Sequence, residues 1–350
     1  MDIDFLRDHD DTGEFSTTNY PTQYHECDCK PACSRWTVGD IFEFCLTSNP
    51  TAEGPTSVRL QIESIPERWT NSVGLIVQVL DKAELKLQWK SSIAFLKLFD
   101  RRFAAKARKE ASLARWSPAF EHQLHACVSE LLQVKKRRPP FLRWGRKRCD
   151  DWDWNTYRME KVFSAYQVTS FGNESRIYKA LSCLQGDEIP QIFSQGYIDL
   201  CPSDIKRTQP IRGGREIYLV PGILMEYIPG ECLSSFEETA PNEAWPMLFE
   251  KAGRIAHRVE ACSVIRRSIG TKNFLFLHTG EDYGPNDYRL FMIDFRCGII
   301  RREAAPEIWE EQKWRQRRII AFWKDSVERY QQIKQSLDAT ADIPDLAKVN

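Results

Sequence analysis

An α+β fold, with an antiparallel sheet ahead of a mainly helical part, is what the order of periodicities along this chain predicts. Three observations carry it. Residues 57–99 hold three runs in which apolar and polar residues alternate, SVRLQIESI, GLIVQVLDKAELKLQW and SSIAFLKLF, rich in the β-branched and aromatic types that favour strands. Later segments switch to apolar steps of three and four residues, the period of a helix with one buried face. The 42% apolar content, with 19 Phe, 11 Trp and 11 Tyr in 350 residues, can fill the core that such an arrangement needs.

Composition narrows the partners. Lys plus Arg and Asp plus Glu number 49 each, so no global field draws the chain to nucleic acid or an acidic membrane, and nucleic acid is not expected as a partner. No apolar run approaches the roughly 20 residues of a membrane span. The first residues, MDIDFLRDHDDTGEF, lack the basic flank and apolar stretch of a secretory signal. A cytoplasmic or nuclear location without a membrane partner is expected, and the 11 cysteines read mostly as reduced, small apolar residues.

Taken in order, residues 1–56 read as a polar extension. Within it YHECDCKPACSRW gathers His25, Cys27, Cys29 and Cys33, but a Cys-x-Cys spacing without a second Cys-x2-Cys knuckle reads as a loop with incidental cysteines, and zinc is not expected. After the three strands, Leu124, Cys127, Val128, Leu131 and Leu132 form a helical stripe. The segment KKRRPPFLRWGRKR, residues 135–148, then has eight Lys or Arg and no acid. Its paired prolines stop the helix, and it fits a solvated loop, a nuclear-import signal or a nucleic-acid or phosphate patch. ESRIYKALSCLQG places Ile177, Leu181 and Leu184 on one helix face, and REIYLVPGILMEYIPG reads as two short strands entering a turn. Leu248, Ala252, Ile255, Val259 and Cys262 mark the next helix, and FLFLH with RLFMIDF reads as a hairpin. A last helix runs from about Pro306 to Leu337, with proline in its first turn and Ile319, Trp323, Val327 and Tyr330 facing inward.

Between helix and hairpin lies VIRRSIGTKNFLF, residues 264–276. Three strands, a helix bearing Glu174, two more strands, a turn, a helix, an Asn-ending loop and a hairpin finishing in Ile-Asp-Phe form an ordered series. It resembles the protein-kinase-like superfamily, especially its aminoglycoside- and choline-kinase-like and fungal kinase-like branches. The resemblance spans about residues 57–335 and implies a bilobal fold. An antiparallel-sheet N-lobe would cover 57–225, with a basic helical insertion at about 103–165, followed by a reduced, mainly helical C-lobe over 226–338 and a tail over 339–350.

The resemblance also implies roles, because phosphoryl transfer in this superfamily needs a lysine on the phosphates, a carboxylate holding that lysine, metal ligands and a base. Lys97 in IAFLKLFD stands where the third-strand lysine would reach the phosphates of ATP, and Glu174 where the helix glutamate would pair with it. The bland alternatives are a strand lysine and a surface helix acid. Met225, Glu226, Tyr227 and Ile228 look like the lobe connection, Met225 bordering the pocket and the backbone of the other three meeting an adenine edge. An edge strand and turn is the plainer reading. Asp294 and Asn273 resemble the two magnesium ligands; a turn cap and a loop-backbone partner are their structural alternatives.

The departures are as informative. Where H-R-D-L-x-x-x-N is expected the chain reads Arg266, Arg267, Ser268, Ile269, Gly270, Thr271, Lys272, Asn273, so Ser268 occupies the base position. A serine hydroxyl is no general base at neutral pH, a loss of about 10²- to 10⁴-fold. SIPERWTNSVG offers only Gly74 where a phosphate-covering loop needs several glycines, and Arg296 replaces the glycine after Asp294 and Phe295. HRVE at 257–260 lies inside the amphipathic helix and is not a displaced motif. Three functions remain open: a pseudokinase acting as a nucleotide-sensing or interaction module with an unidentified protein partner, an ATP- and magnesium-dependent phosphotransferase of unusual mechanism, and a nuclear binding protein using the basic insertion.

Overall fold

The alternating runs close on themselves. A computed structural model describes residues 36–47, 57–66, 72–81, 91–137, 151–202, 215–280 and 287–341. In it six strands, β1 (Ile41–Leu46), β2 (Ser57–Ser64), β3 (Val73–Val79), β4 (Ile93–Leu98), β5 (Ile192–Asp199) and β6 (Leu219–Glu226), form a closed antiparallel barrel in the order β1-β2-β3-β4-β6-β5. Phe44, Leu60, Ile62, Leu75, Val77, Leu96, Leu98 and Leu224 supply its core, all at 0 or 1% exposure. Their period-two spacing is what the alternation in the sequence encodes.

Two barrel strands escape the sequence reading. The first, β1, falls inside the supposed polar extension. It adds to β2 and closes the barrel through Cys45 opposite Tyr197 and Leu46 opposite Gly196. Closure needs a glycine there, because a Cβ on Gly196 would collide with the carbonyl oxygen of Cys45. The second, β5, runs IFSQGYID, and its Ser, Gln and Gly blur the alternation. Conversely, the expected pair of strands in REIYLVPGILMEYIPG is one strand, β6, preceded by a 3₁₀ turn at Arg215–Tyr218.

Three helices follow β4: α1 (Ala105–Glu110), α2 (Pro118–Arg137) and α3 (Asp151–Ala180). Leu124 and Val128 of α2 pack onto the barrel core with Trp116, Phe120 and Tyr157. The α3 helix runs unbroken through position 165, where the sequence reading ended the insertion, so insertion and glutamate helix are one element.

The remaining chain alternates small sheets with two long helices. β7 (Glu231–Cys232), β9 (Phe274–His278) and β10 (Tyr288–Met292) form one sheet with β9 in the middle, and β8 (Val264–Arg266) pairs with β11 (Gly298–Ile300). α4 (Trp245–Ala261) buries Leu248, Ala252, Ile255 and Val259 as its spacing predicts, and α5 (Pro306–Ala341) buries Trp323 and Val327. These residues join Ile177 and Tyr178 from the end of α3, and Leu181 and Leu184 just after it, in a second core. Antiparallel sheets and helices occupying successive parts of the chain make the fold α+β. The His25, Cys27, Cys29 and Cys33 group lies outside the described residues, as do residues 138–148 of the basic segment, 67–71, 281–286 and 342–350. No described helix is long and apolar enough to cross a membrane.

Charge, not only apolar area, fixes the helices to the barrel. Arg101, 4% exposed, donates to Glu160 at 2.9 Å, to Glu121 and to the carbonyl of Ile217. Arg108 shares Glu160 and donates to the carbonyls of Ala114 and Arg101. Removing one member strands its partners in a dry environment, which typically costs 3–5 kcal/mol. Glu160→Ala should therefore lower the free energy of unfolding by about 3–5 kcal/mol, read from urea denaturation. A cost under about 1 kcal/mol, the level of a surface pair, would show that water reaches this cluster.

Candidate functional site

The alternation of β4 decides where Lys97 points. Ala94, Leu96 and Leu98 face the barrel core, so Phe95 and Lys97 lie on the opposite face, toward α3 and the second core. There Lys97 Nζ donates to both oxygens of Glu174, at 2.8 and 2.7 Å, and to Asp294 Oδ1 at 2.7 Å. Glu174 has no exposed surface, and its Oε1 also accepts the backbone N–H of Phe295 at 3.1 Å. Both residues singled out in the sequence for a lysine–carboxylate pair form one here, and the surface-acid alternative for Glu174 is excluded by its burial.

Asp294 sits just past β10 with φ of 62°, in the left-handed region that a non-glycine residue enters at a cost. Three restraints hold it there. Lys97 takes one carboxylate oxygen; Arg266 Nη2 takes the other at 2.9 Å, and Arg266 Nε donates to the Asp294 carbonyl at 2.7 Å. Phe295, fully buried, packs edge-on against Tyr178 with ring centroids 5.2 Å apart.

Asn273 closes the group. It ends a 3₁₀ turn, Thr271–Asn273, and its carbonyl accepts the N–H of Ile293, which fixes it beside Asp294. Its side-chain Oδ1 accepts from the N–H of Gly270 at 3.0 Å and from Arg266 Nη1 at 2.7 Å. One guanidinium thus bridges Asn273 and Asp294. Arg266 was not read from the sequence as a site residue, although it stands in the quoted loop; it ends the strand Val264–Arg266 and is buried there.

The charges balance at two cations and two carboxylates. Burial disfavours the charged form of Lys97, but Asp294 and Glu174 outweigh it and raise its pKa. Burial raises Glu174, with Lys97 opposing. Asp294 loses only part of its water, its side chain being 38% exposed, and Lys97 and Arg266 hold its carboxyl well below the usual 3.8.

The other expected residues fall around this group less closely. Ser268 is exposed on a bend after β8. Met225 is buried, and its sulfur lies 4.0 Å from the Tyr178 hydroxyl. Glu226 already donates its N–H to the Gln191 carbonyl at 2.8 Å and accepts the Gln191 N–H on its carboxylate at 3.1 Å. Tyr227 is half-buried and Ile228 buried. Gly74 lies within β3 opposite Lys97, where a Cβ would come within 2.6 Å of the Phe95 ring. The Arg296 guanidinium lies 3.5 Å from the Tyr166 hydroxyl of α3.

No family model matches the chain, and no curated protein matches it. Among solved structures it is similar to the crystal structure of the BubR1 kinase domain, at 10% identity and a TM-score of 0.35, over 78% of this chain and 54% of that one. The chain spans about half the length of that structure. The reading that follows rests on the side-chain geometry.

Lys97→Met leaves Glu174 buried with a single N–H partner, and should destabilise the protein by about 3–5 kcal/mol. Lys97→Met/Glu174→Leu should recover much of that loss, since neither charge is then stranded; equal losses in single and double variants would contradict the pairing. The acid limb tests Asp294. Its folded pKa lies below the unfolded value, so its contribution is intact above 3.8 and is lost as pH falls through the lower folded value. The stability gap between wild type and Asp294→Asn should be flat from about pH 7 to 5 and close below about pH 4. A gap that persists unchanged to about pH 2 would show that the ionised carboxylate is not what matters.

Proposed function

We propose that the chain is a degenerate kinase-like domain, a pseudokinase whose nucleotide–metal site has become an internal ionic lock, working as an interaction module and not by phosphoryl transfer. What supports the kinase-like part is convergence. Lys97, Glu174, Asn273 and Asp294, chosen for their places in the motif series, come from four separate elements and meet in one hydrogen-bonded group.

The observation that carries the loss of metal chemistry is the position of Arg266. Magnesium would need the oxygens of Asn273 and Asp294 together. Asn273 Oδ1 and Asp294 Oδ2 both accept from the Arg266 guanidinium, and Asp294 Oδ1 accepts from Lys97. A dication placed there would face two fixed positive charges at hydrogen-bonding distance, so this donor set does not fit it. Ser268 offers no base, and of the three residues whose backbone would meet an adenine edge, Glu226 already bonds its N–H to Gln191. The nucleotide-sensing form of the reading is accordingly the less favoured one.

A phosphotransferase remains the second reading, because the Lys97–Glu174 pair is formed in the manner that phosphate binding requires. The two separate in thermal unfolding with and without magnesium and ATP. A ligand at about 100 times its dissociation constant adds roughly 2.7 kcal/mol to the folded state. The wild type should show no magnesium-dependent rise, while Arg266→Ala, which frees both oxygens, should become sensitive to magnesium. A magnesium–ATP rise in the wild type that Asp294→Ala abolishes would overturn the lock and favour the enzyme. Nothing among the described residues favours the nuclear-binding alternative, whose basic segment lies largely outside them.

A further inference from the structure

We propose that Cys183 and Cys262 are a reversible redox-active dithiol, a modification site at which a disulfide staples the end of the Glu174 helix to the segment entering the Arg266 strand. The proposal stands on its own geometry and does not depend on the kinase-like reading.

The two sulfurs lie 3.5 Å apart although 79 positions separate them in sequence. Cys183 sits in the 3₁₀ turn Ser182–Leu184 that follows α3; Cys262 is the residue after α4, two before β8. Both backbones are anchored. Leu181 and Leu184 flank Cys183, and Val259 and Val264 flank Cys262, each at 0 to 3% exposure in the second core. The thiols therefore meet at the surface on fixed supports, and side-chain rotation can supply the approach of about 1.5 Å that bonding at about 2.05 Å needs. Cys183 is the exposed cysteine among the described ones, whereas Cys262 is half-buried.

That difference assigns the order of steps. Burial, and then the contact with Cys183, push the Cys262 thiol up, so it is the poorer first nucleophile. The Cys183 thiolate attacks a peroxide oxygen, the O–O bond breaks, and a sulfenic acid forms with release of water. The Cys262 sulfur then attacks the Cys183 sulfur and displaces a second water as the disulfide closes. Two thiols lose two protons and two electrons, and one hydrogen peroxide becomes two waters. A small-molecule dithiol returns the pair to the reduced state by exchange.

The staple would close a long loop of chain and hold α3 against β8, the elements that carry Glu174 and Arg266. The test treats the full chain with hydrogen peroxide, or equilibrates it in glutathione buffers, and maps the peptides without reduction. Expected is an intramolecular Cys183–Cys262 peptide in a monomer, reversed by dithiothreitol and absent from Cys183→Ser and Cys262→Ser. Cys262→Ser should instead accumulate a dione-reactive sulfenic acid at Cys183. The oxidised wild type should melt about 5 °C above the reduced form, a rise that neither variant shows. Cys183 ending as a sulfinic acid or a glutathione adduct, with Cys262 still a free thiol in folded protein, would overturn the dithiol. A linked peptide with no change in melting would overturn the staple.

Discussion

Glu174 is a carboxylate without exposed surface, and the arrangement of both halves follows from keeping its charge satisfied. An unpaired ion in such a place costs several kcal/mol, so its partners must arrive with it. They come from two directions: Lys97 from the barrel strand β4, and the N–H of Phe295 from the connection after β10. Barrel, helix and second core are thereby tied at one atom pair. The same requirement shapes the neighbours. Tyr178, one turn along α3, is held neutral by burial and by the carboxylates beside it, and its ring is the surface on which Phe295 packs.

Helix α3 carries a second buried carboxylate on the same side, Glu160, bound by Arg101 and Arg108. Sliding or turning α3 by one residue would strand both acids at once. Apolar packing tolerates such slips far better than buried charge does. The α3 sequence also has little continuous apolar stripe near its start, where Met159, Val162 and Tyr166 are exposed. Its register is therefore set by two ionic anchors, with Tyr157 and Phe163 buried along its first half and Ile177 and Tyr178 at its end.

What was legible in the sequence were features that announce themselves locally. Clean alternation gave β2, β3 and β4, and three-four spacing gave α4 and the inward side of α5. The hairpin of β9 and β10 was readable from its two apolar runs. Lys97, Glu174, Asn273 and Asp294 stand out in the sequence because each interrupts or flanks an apolar element, and the folded chain brings the four together. The misses have a common cause, dependence on distant chain. β5 looks like a loop until Gly196 is seen to make room for the Cys45 carbonyl. Pro221 looks like a break between two strands, yet within β6 its carbonyl serves Phe99 and only its missing N–H is left out of the ladder. Arg266 was invisible as a site residue because its three acceptors, two side chains and the Asp294 carbonyl, converge only in the folded chain.

On the reading of a pseudokinase, a guanidinium stands where a dissociable cation would, and that changes what controls the site. Asp294 occupies a strained left-handed conformation, and something must outweigh that strain. In a metal-dependent arrangement the compensation arrives with the ligand, so the conformation is conditional on binding. Here the compensating charges, Lys97 and Arg266, belong to the chain itself and arrive with folding. On the reading of a pseudokinase, the conformation that a nucleotide and metal would otherwise select is then present without either. A surface that depends on it is presented continuously, and control over it must act on the elements that position Glu174 and Arg266, not on occupancy of the site between them.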